Sequence, residues 1–169
     1  NLITPNKIKL DITNYYNLKK FVNNNIHYII NLSGQISSNS KLMKRIIVKG
    51  NRNIIRACNR KKIKIFYLST SLVYGYTKNS KNESSKRKPV DNYSKYKLIA
   101  ENEYLKSNSN FIILRLCNIY NGKKNGIINN LTSSIIRKKK LFLTNSKAYR
   151  NYIYINDLLS KIIKMLNKK

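Results

Sequence analysis

Short apolar runs alternate with amphipathic stretches along this chain. Apolar residues recur at helical spacing over residues 15–22, 42–58, 93–106, 127–136 and 158–166. Apolar or alternating runs typical of strands lie between them, at residues 8–10, 28–32, 63–68, 111–114, 141–143 and 152–155. Strands that alternate with helices of ordinary length indicate an α/β fold, a parallel sheet with helices on both faces.

Local signals add detail to this prediction. Residues 11–14 are typical of a strand end that passes into a helix cap, and Asp157 is expected to cap the last helix. The uninterrupted apolar run 28–32 predicts a strand that is buried on both faces. Gly50 lies inside a predicted helix, where glycine costs about 1 kcal/mol relative to alanine. We therefore expect Gly50 to pack closely against a neighbouring element.

Polar segments follow four of the predicted strands. In a parallel sheet, ligands bind beyond the carboxyl ends of the strands. The segments at this position are Asp11, residues 31–34, residues 69–71 and residues 115–118. We expect them to converge on one crevice.

A tyrosine and a lysine lie four positions apart in the segment 93–97. At helical spacing Tyr93 and Lys97 share one face, and Pro89, Asp91 and Asn92 are typical of a helix start. An ammonium near a phenol lowers the tyrosine pKa from about 10, so the pair can exchange a proton with a substrate hydroxyl or carbonyl. The alternative is a solvated helix face, because the chain has 13 tyrosines and 35 lysines and arginines.

The formal net charge of the 169 residues is +29. A large positive charge is typical of proteins that bind nucleic acid or another polyanion. In such proteins the basic residues are clustered, whereas here they are spread along the chain. Lys, Asn, Ile and Tyr, whose codons are rich in A and T, are all heavily used. We therefore favour compositional drift over a nucleic-acid partner.

The two cysteines, Cys58 and Cys117, have neither disulfide nor metal-ligand spacing. Both are expected to be buried thiols in a reducing compartment, and no metal is expected.

The sequence has no apolar run long enough to span a membrane and no signal-peptide pattern. We expect a cytoplasmic protein without a membrane partner.

Several motifs point together to one family. They are the run Leu-Ser-Thr-Ser-Leu-Val-Tyr-Gly at 68–75, then Glu83 and Pro89, and the segments 93–97, 114–120, 150–157, 11–12 and 29–34. In this order and spacing the chain resembles the extended short-chain dehydrogenase/reductases, the NAD-dependent sugar-nucleotide epimerase/dehydratase group. The resemblance implies a Rossmann-like, doubly wound parallel sheet. Residues 1–120 would form a partial NAD-binding domain, and residues 121–169 a partial substrate-binding region.

The resemblance also implies roles for particular residues. Tyr93 would be the acid/base, Lys97 would hold the nicotinamide ribose and lower the Tyr93 pKa, and Thr70 would hydrogen-bond the reacting sugar oxygen. The residues expected to line the cofactor are Asp11 and Ile12 beside the adenine, with Asn31, Leu32, Ser33, Ser69, Tyr93 and Lys97. Asn118 and Arg150 would bind the substrate's diphosphate, for which arginine offers a planar fork.

The sequence departs from the family pattern at several positions. The Gly-rich phosphate loop is absent and the sequence begins at what resembles the third strand. The chain is therefore expected to be either a fragment or unable to bind NAD in the usual way. Asn31 and Ile47 stand where the family commonly has His and Asn. Ser71 and Leu72 replace the Asp-Glu pair of the 4,6-dehydratases, which disfavours dehydration.

These observations lead to one functional hypothesis and one alternative. The hypothesis is an NAD-dependent epimerase, or keto-sugar reductase, that acts on a nucleotide sugar, with NADP as the alternative cofactor. The resemblance also suggests a homodimer. The alternative is a non-catalytic or truncated member of the family that binds RNA or another polyanion on the same scaffold.

Overall fold

The computed structural model describes residues 2–6, 9–34, 36–59, 61–77, 79–121, 127–140 and 150–167. The chain divides into two units, Asn1–Arg115 and Leu116–Lys169, and each unit is described by itself. The predicted division of labour, cofactor binding by residues 1–120 and substrate binding by residues 121–169, stays a prediction.

A three-stranded sheet lies at the centre of the first unit. In the order β1-β2-β3 its strands are Tyr28–Asn31, Lys64–Thr70 and Asn110–Leu116. β1 and β2 are parallel, with Tyr28 opposite Lys64 and Asn31 opposite Tyr67. In the central strand, Ile65, Phe66 and Tyr67 are fully buried. The predicted α/β class with parallel strands is confirmed.

One face of β1 is partly exposed, so the prediction of a strand buried on both faces is wrong. Tyr28 and Ile30 are 44% and 36% exposed, whereas Asn31 is buried. Successive side chains of a strand point to opposite faces, and the intervening Ile29 packs against the core. Among the strands described, β1 lies at the edge of the sheet, and one of its faces packs against the helices.

The α-helices described around this sheet are α1 (Tyr15–Phe21), α2 (Ser40–Lys44), α3 (Gly50–Cys58) and α4 (Asn92–Leu105). They confirm the predicted helices at 15–22, 42–58 and 93–106. A π turn, Arg45–Lys49, joins α2 to α3, and at its end the amide of Gly50 donates to the carbonyl of Arg45, five residues back. The core is built from side chains of these elements, including Leu18, Val22, Ile47, Ile54, Ile65, Tyr67, Ala100 and Tyr104.

Gly50 confirms the expected close packing. A Cβ built at this position would overlap the Ile12 side chain, and would lie 2.8 Å from its Cγ1. The segment before α1 is therefore seated directly on the backbone of α3. The side-chain amide of Asn53 fastens the same contact, because its Nδ2 donates to the carbonyl of Ile12 at 2.9 Å.

The predicted strand at 8–10 is not found where the structure describes the chain. Ile8 lies outside the described residues. The amide of Lys9 donates to the side chain of Asn6, and the amide of Leu10 donates to the carbonyl of Asn6. These local bonds form a turn and occupy the donors that a strand would need for its ladder.

In its described residues, the second unit contains a two-stranded parallel sheet and two helices. Its elements are β4 (Asn118–Tyr120), α5 (Ile127–Ile136), β5 (Tyr152–Tyr154) and α6 (Ile155–Asn167). Leu158 and Ile162 are its buried apolar side chains within the part described. Asp157 lies in the first turn of α6 rather than at its cap, because β5 passes into the helix without a loop. The predicted strand 141–143 lies outside the described residues.

The cysteines differ in their surroundings. Cys58 is buried as predicted, and burial raises the pKa of its thiol to about 11. Cys117, which lies between β3 and β4, is only partly buried, so the prediction of a buried thiol is wrong there. In the ranges that the structure describes, no helix has the length and apolar character needed to cross a membrane.

Candidate active site at the carboxyl end of the first sheet

Helix α4 begins with a cap that positions Tyr93. The carboxylate of Asp91 accepts the amide of Ser94 at 2.7 Å and the hydroxyl of Ser94 at 2.9 Å. The first of these bonds satisfies a backbone donor that a helix start leaves without a partner. Tyr93 is the second residue of the helix and is half-buried. Lys97 follows one turn later.

Lys97 is a buried ammonium at the carboxyl end of β2. Its side chain is 3% exposed, and Nζ donates to the carbonyl of Leu68 at 2.7 Å. A weaker contact, at 3.5 Å, joins Nζ to the carbonyl of Ser33, which follows β1. The ammonium lies 5.0 Å from the ring centroid of Tyr67 and 5.7 Å from that of Tyr93. Burial lowers the pKa of Lys97 to about 8, while the negative charge of Glu101 acts in the opposite direction.

Gly34 allows the turn after β1 to pass close to this ammonium. Its φ of +115° lies in a region that favours glycine. A Cβ at Gly34 would lie 3.2 Å from Nζ of Lys97 and 3.2 Å from Cγ1 of Ile47. A side chain would therefore fill the space beside the lysine. Sequence reasoning placed Gly34 at a strand end and did not see this close approach.

The pKa of Tyr93 is raised, so the expectation of a lowered tyrosine pKa is wrong. Burial is the main cause, and the negative charge of Asp91 adds to it. The ammonium of Lys97, 5.7 Å from the ring centroid of Tyr93, does not reverse this shift. At neutral pH the Tyr93 hydroxyl therefore keeps its proton.

Thr70 ends β2 and starts the 3-10 turn Ser71–Tyr74. Its hydroxyl oxygen accepts the amide of Leu72 at 3.3 Å, and its side chain is nearly buried. Helix α4 packs against both β2 and this turn. The first unit thus brings Thr70, the Tyr93–Lys97 helix and the Ser33–Gly34 turn to the carboxyl ends of two neighbouring strands.

A buried ion pair, missed by sequence reasoning, supports this end of β2. Glu101 is fully buried one turn beyond Lys97, and Oε1 accepts the hydroxyl of Ser69 at 2.5 Å. Arg115 donates to both carboxylate oxygens, with Nη2 2.8 Å from Oε2. Its Nη1 donates to the Tyr74 hydroxyl at 2.7 Å and to the carbonyl of Glu83 at 3.1 Å. The Ser69 side chain, expected to line the cofactor, is thus bonded to Glu101.

A second polar cluster lies beneath the turn after β1. Asn31 and Asn51 are buried, and Nδ2 of Asn31 donates to Oδ1 of Asn51 at 2.8 Å. The Tyr104 hydroxyl donates to the same oxygen at 2.7 Å. Oδ1 of Asn31 accepts the amide of Ser33 at 2.9 Å and its hydroxyl at 2.6 Å. The Asn31 side chain therefore holds the turn from below.

The remaining predicted residues of the first unit occupy different surroundings. Leu32 is 72% exposed beside Ser33. Asp11 accepts the amide of Thr13 at 2.8 Å in the turn before α1, and Ile12 packs on α3. Their predicted position beside an adenine stays a prediction.

Asn118 and Arg150 both lie in the second unit. Backbone and side-chain amides of Asn118 donate to the carbonyl of Asn151, at 3.2 Å and 3.1 Å. Arg150 precedes that residue and is exposed. A small cavity of about 110 Å³ is lined by Asn118 together with Tyr120 and Tyr152. The two predicted substrate residues are thus close in this unit, and their role stays a prediction.

The fold and these motifs are those of a Rossmann-like α/β scaffold with a Tyr–Lys pair on the helix that packs against its central strand. The profile of the NAD dependent epimerase/dehydratase family matches residues 2–169. The chain therefore belongs to this NAD-dependent family, and the resemblance found in the sequence is confirmed.

Curated relatives include an epimerase and a dehydratase. The chain is 30% identical over 167 residues to ADP-L-glycero-D-manno-heptose-6-epimerase of Brachyspira hyodysenteriae, covering 85% of this chain and 51% of that protein. It is 33% identical over 141 residues to dTDP-D-glucose 4,6-dehydratase of Dictyostelium discoideum, covering 72% of this chain and 32% of that one. The chain thus spans about half the length of these relatives, or less.

Solved structures share the fold. dTDP-4-dehydrorhamnose reductase from Bacillus anthracis, in complex with NADP, matches with a TM-score of 0.86 at 21% identity, over 96% of this chain and 60% of that one. UDP-glucuronic acid 4-epimerase from Bacillus cereus, in complex with UDP-glucuronic acid and NAD, matches at 0.80 and 19%, over 98% and 55%. These likenesses confirm the predicted Rossmann-like fold.

Proposed function

We propose that this chain carries the proton-transfer site of an NAD-dependent epimerase that acts on a nucleotide sugar. The observation that supports this most is the buried Lys97 ammonium, which lies one helical turn from Tyr93 at the carboxyl end of β2. Burying a lysine without a direct carboxylate bond costs free energy, and groups perturbed in this way are concentrated at functional sites. Membership of the family supplies the class of reaction.

The residues at the first sheet fit a dinucleotide. Lys97 and Ser33 offer polar atoms for a ribose, and Gly34 leaves the space beside them free of a side chain. The exposed Leu32 offers an apolar surface next to them. NAD, when bound, supplies the hydride chemistry at the sugar carbon. Asp11 and Ile12 are proposed to border the adenine.

Tyr93 is proposed to hold and move the proton of the reacting sugar oxygen. Its raised pKa keeps the proton on Oη at neutral pH, so the free site is ready to donate. For the opposite transfer, the positive charge of Lys97 would stabilise the phenolate, since the lysine is still mostly protonated below pH of about 8. Thr70 would hydrogen-bond the same sugar oxygen and align it with Tyr93.

The substrate's diphosphate is proposed to bind Asn118 and Arg150. The exposed guanidinium of Arg150 has the charge and the planar fork that phosphate oxygens require. Dehydration is disfavoured, because Ser71 and Leu72 stand where the 4,6-dehydratases carry an Asp-Glu pair. A homodimer is the proposed assembly, and NADP is the alternative cofactor.

One observation favours keto-sugar reduction as a second candidate. A tyrosine that rests in its protonated form is suited to donate to a carbonyl oxygen. The two candidates differ in net redox change. A reductase consumes reduced cofactor in proportion to product, whereas an epimerase leaves the amount of NAD and NADH unchanged.

The chain offers a matched pair of substitutions on one helix. Tyr93→Phe removes the proposed acid/base, and Tyr96→Phe removes a hydroxyl whose described partner is Ser40, at 2.8 Å. With nucleotide sugars as substrates and NMR to follow the sugar, Tyr93→Phe is expected to lose roughly 10²–10⁴-fold in kcat. Tyr96→Phe is expected to stay within a few-fold. A Tyr93→Phe protein with the kcat of the parent would refute the assignment.

A further inference from the structure

The polar cluster beneath the turn after β1 has a fixed hydrogen-bond direction. One end is the carbonyl of Ile47, which accepts Nδ2 of Asn51 at 2.6 Å. The other end is the amide of Ser33, which donates to Oδ1 of Asn31 at 2.9 Å. A backbone carbonyl can only accept and a backbone amide can only donate. The two ends therefore fix the orientation of both side-chain amides.

The contact between the two asparagines agrees with both ends. With Nδ2 of Asn51 on Ile47, its Oδ1 faces Asn31 and Tyr104 as an acceptor. With Oδ1 of Asn31 on Ser33, its Nδ2 faces Asn51 as a donor. Reversing either amide would bring two donors or two acceptors together inside the core, where such groups need partners. Burial raises the pKa of Tyr104, so its hydroxyl remains a donor.

This direction determines what the Ser33 hydroxyl can do. Oγ lies 2.6 Å from Oδ1 of Asn31, which has no proton to give, so the serine donates its only one. Lone pairs are then what Oγ offers to any further partner. Ser33 is half-buried, and its carbonyl lies 3.5 Å from Nζ of Lys97. The residue that carries this acceptor therefore contacts the lysine of the proposed active site through its backbone carbonyl.

We propose that Ser33 Oγ accepts a hydrogen bond from a ribose hydroxyl in the nicotinamide half of the dinucleotide, with Asn31 and Asn51 as the positioning residues that fix its direction. This proposal rests on the proposed function. It adds one ligand contact and the direction of its hydrogen bond. Ser33 Oγ favours a ligand hydroxyl that can donate, and it disfavours groups that can only accept, such as phosphate oxygens.

The test combines a protein variant with ligand variants. NAD and its analogues that lack the 2′- or 3′-hydroxyl of the nicotinamide ribose are titrated by calorimetry against the parent chain and Ser33→Ala. A single hydrogen bond of ordinary strength corresponds to roughly tenfold in affinity. Ser33→Ala is expected to bind NAD about tenfold more weakly. For the parent chain, one of the deoxy analogues is expected to bind about tenfold more weakly than NAD. For Ser33→Ala, that analogue and NAD are expected to bind with equal affinity.

Tyr104→Phe is the control within the cluster. It removes one buried hydroxyl, but the backbone groups of Ile47 and Ser33 still set both amides. Its affinity for NAD is expected to stay within about twofold of the parent. The proposal is overturned if Ser33→Ala binds NAD like the parent, or if each deoxy analogue loses as much affinity for Ser33→Ala as for the parent. A parent chain without affinity for NAD or NADP would overturn the proposed function itself, and this contact with it.

Discussion

The buried pair between Arg115 and Glu101 allows a quantitative test of what holds the site together. Glu101 is fully buried, whereas the side chain of Arg115 is 16% exposed. Arg115→Met would keep much of the aliphatic stem but would leave the carboxylate without its bidentate partner. Breaking a buried ion pair in this way typically costs about 3–5 kcal/mol.

Two contacts reduce the expected loss. The Ser69 hydroxyl would still donate to Oε1, and Arg87 already lies 3.8 Å from Oε2. Because Arg87 is partly exposed and can move closer, the lower end of the range applies. We expect Arg115→Met to lower the free energy of unfolding by about 3 kcal/mol, measured by urea denaturation monitored by circular dichroism.

The chain provides an exposed pair of the same residue types and the same length. Arg52 and Glu103 also lie 2.8 Å apart, but their side chains are 58% and 30% exposed. Arg52→Met is expected to cost about 0–1 kcal/mol, since solvent screens such a pair. Equal losses in the two variants would refute the argument that burial of Glu101 makes its ion pair matter.

Three further outcomes follow from the packing and the pKa shifts. Gly50→Ala is expected to lower the free energy of unfolding by about 1–3 kcal/mol, measured by urea denaturation, although alanine has the better helix propensity. The reason is that its methyl group would overlap the side chain of Ile12. Adding Ile12→Ala to the same chain should recover part of this loss. Affinity for NAD, measured by calorimetry, is expected to fall as pH rises through about 8, because Lys97 loses its proton there. A Lys97→Met variant with the same pH dependence of affinity as the parent would contradict this explanation. The stability term has the opposite sign: between pH of about 8 and the ordinary lysine pKa of 10.5 the unfolded chain binds the extra proton, so the contribution of Lys97 to stability rises with pH.

Local signals were sufficient for the elements that carry the site. Asp91 predicted the start of α4, and the apolar run before Ser69 predicted β2. The strand expected at 8–10 shows where such signals fail: the apolar alternation was real, but Asn6 captures the amides of Lys9 and Leu10. β4 was not predicted, because a three-residue strand depends on a partner more than thirty positions away.

The polar interior was beyond reach for a similar reason. Glu101 looked like an ordinary charged position on a helix, and its burial depends on Arg115, fourteen residues later, and on Ser69. Asn51 lies just after the π turn Arg45–Lys49, and the spacing of apolar residues does not reveal that turn. The burial of Asn51 was therefore not predicted. The direction of the Tyr93 pKa shift was missed because it requires the burial of both Tyr93 and Lys97, which the spacing of the two residues does not contain.

The cap of α4 has a consequence for how this site can change over time. Asp91 fastens the first turn through Ser94 and, two residues from the phenol, also strengthens the hold of Tyr93 on its proton. Architecture and reactivity thus share one carboxylate. A substitution of Asp91 that made the Tyr93 phenol more acidic would also destabilise the first turn of α4, unless the new side chain could still cap the helix. Asparagine, an uncharged side chain with an oxygen in the same place, offers an economical route between the two demands.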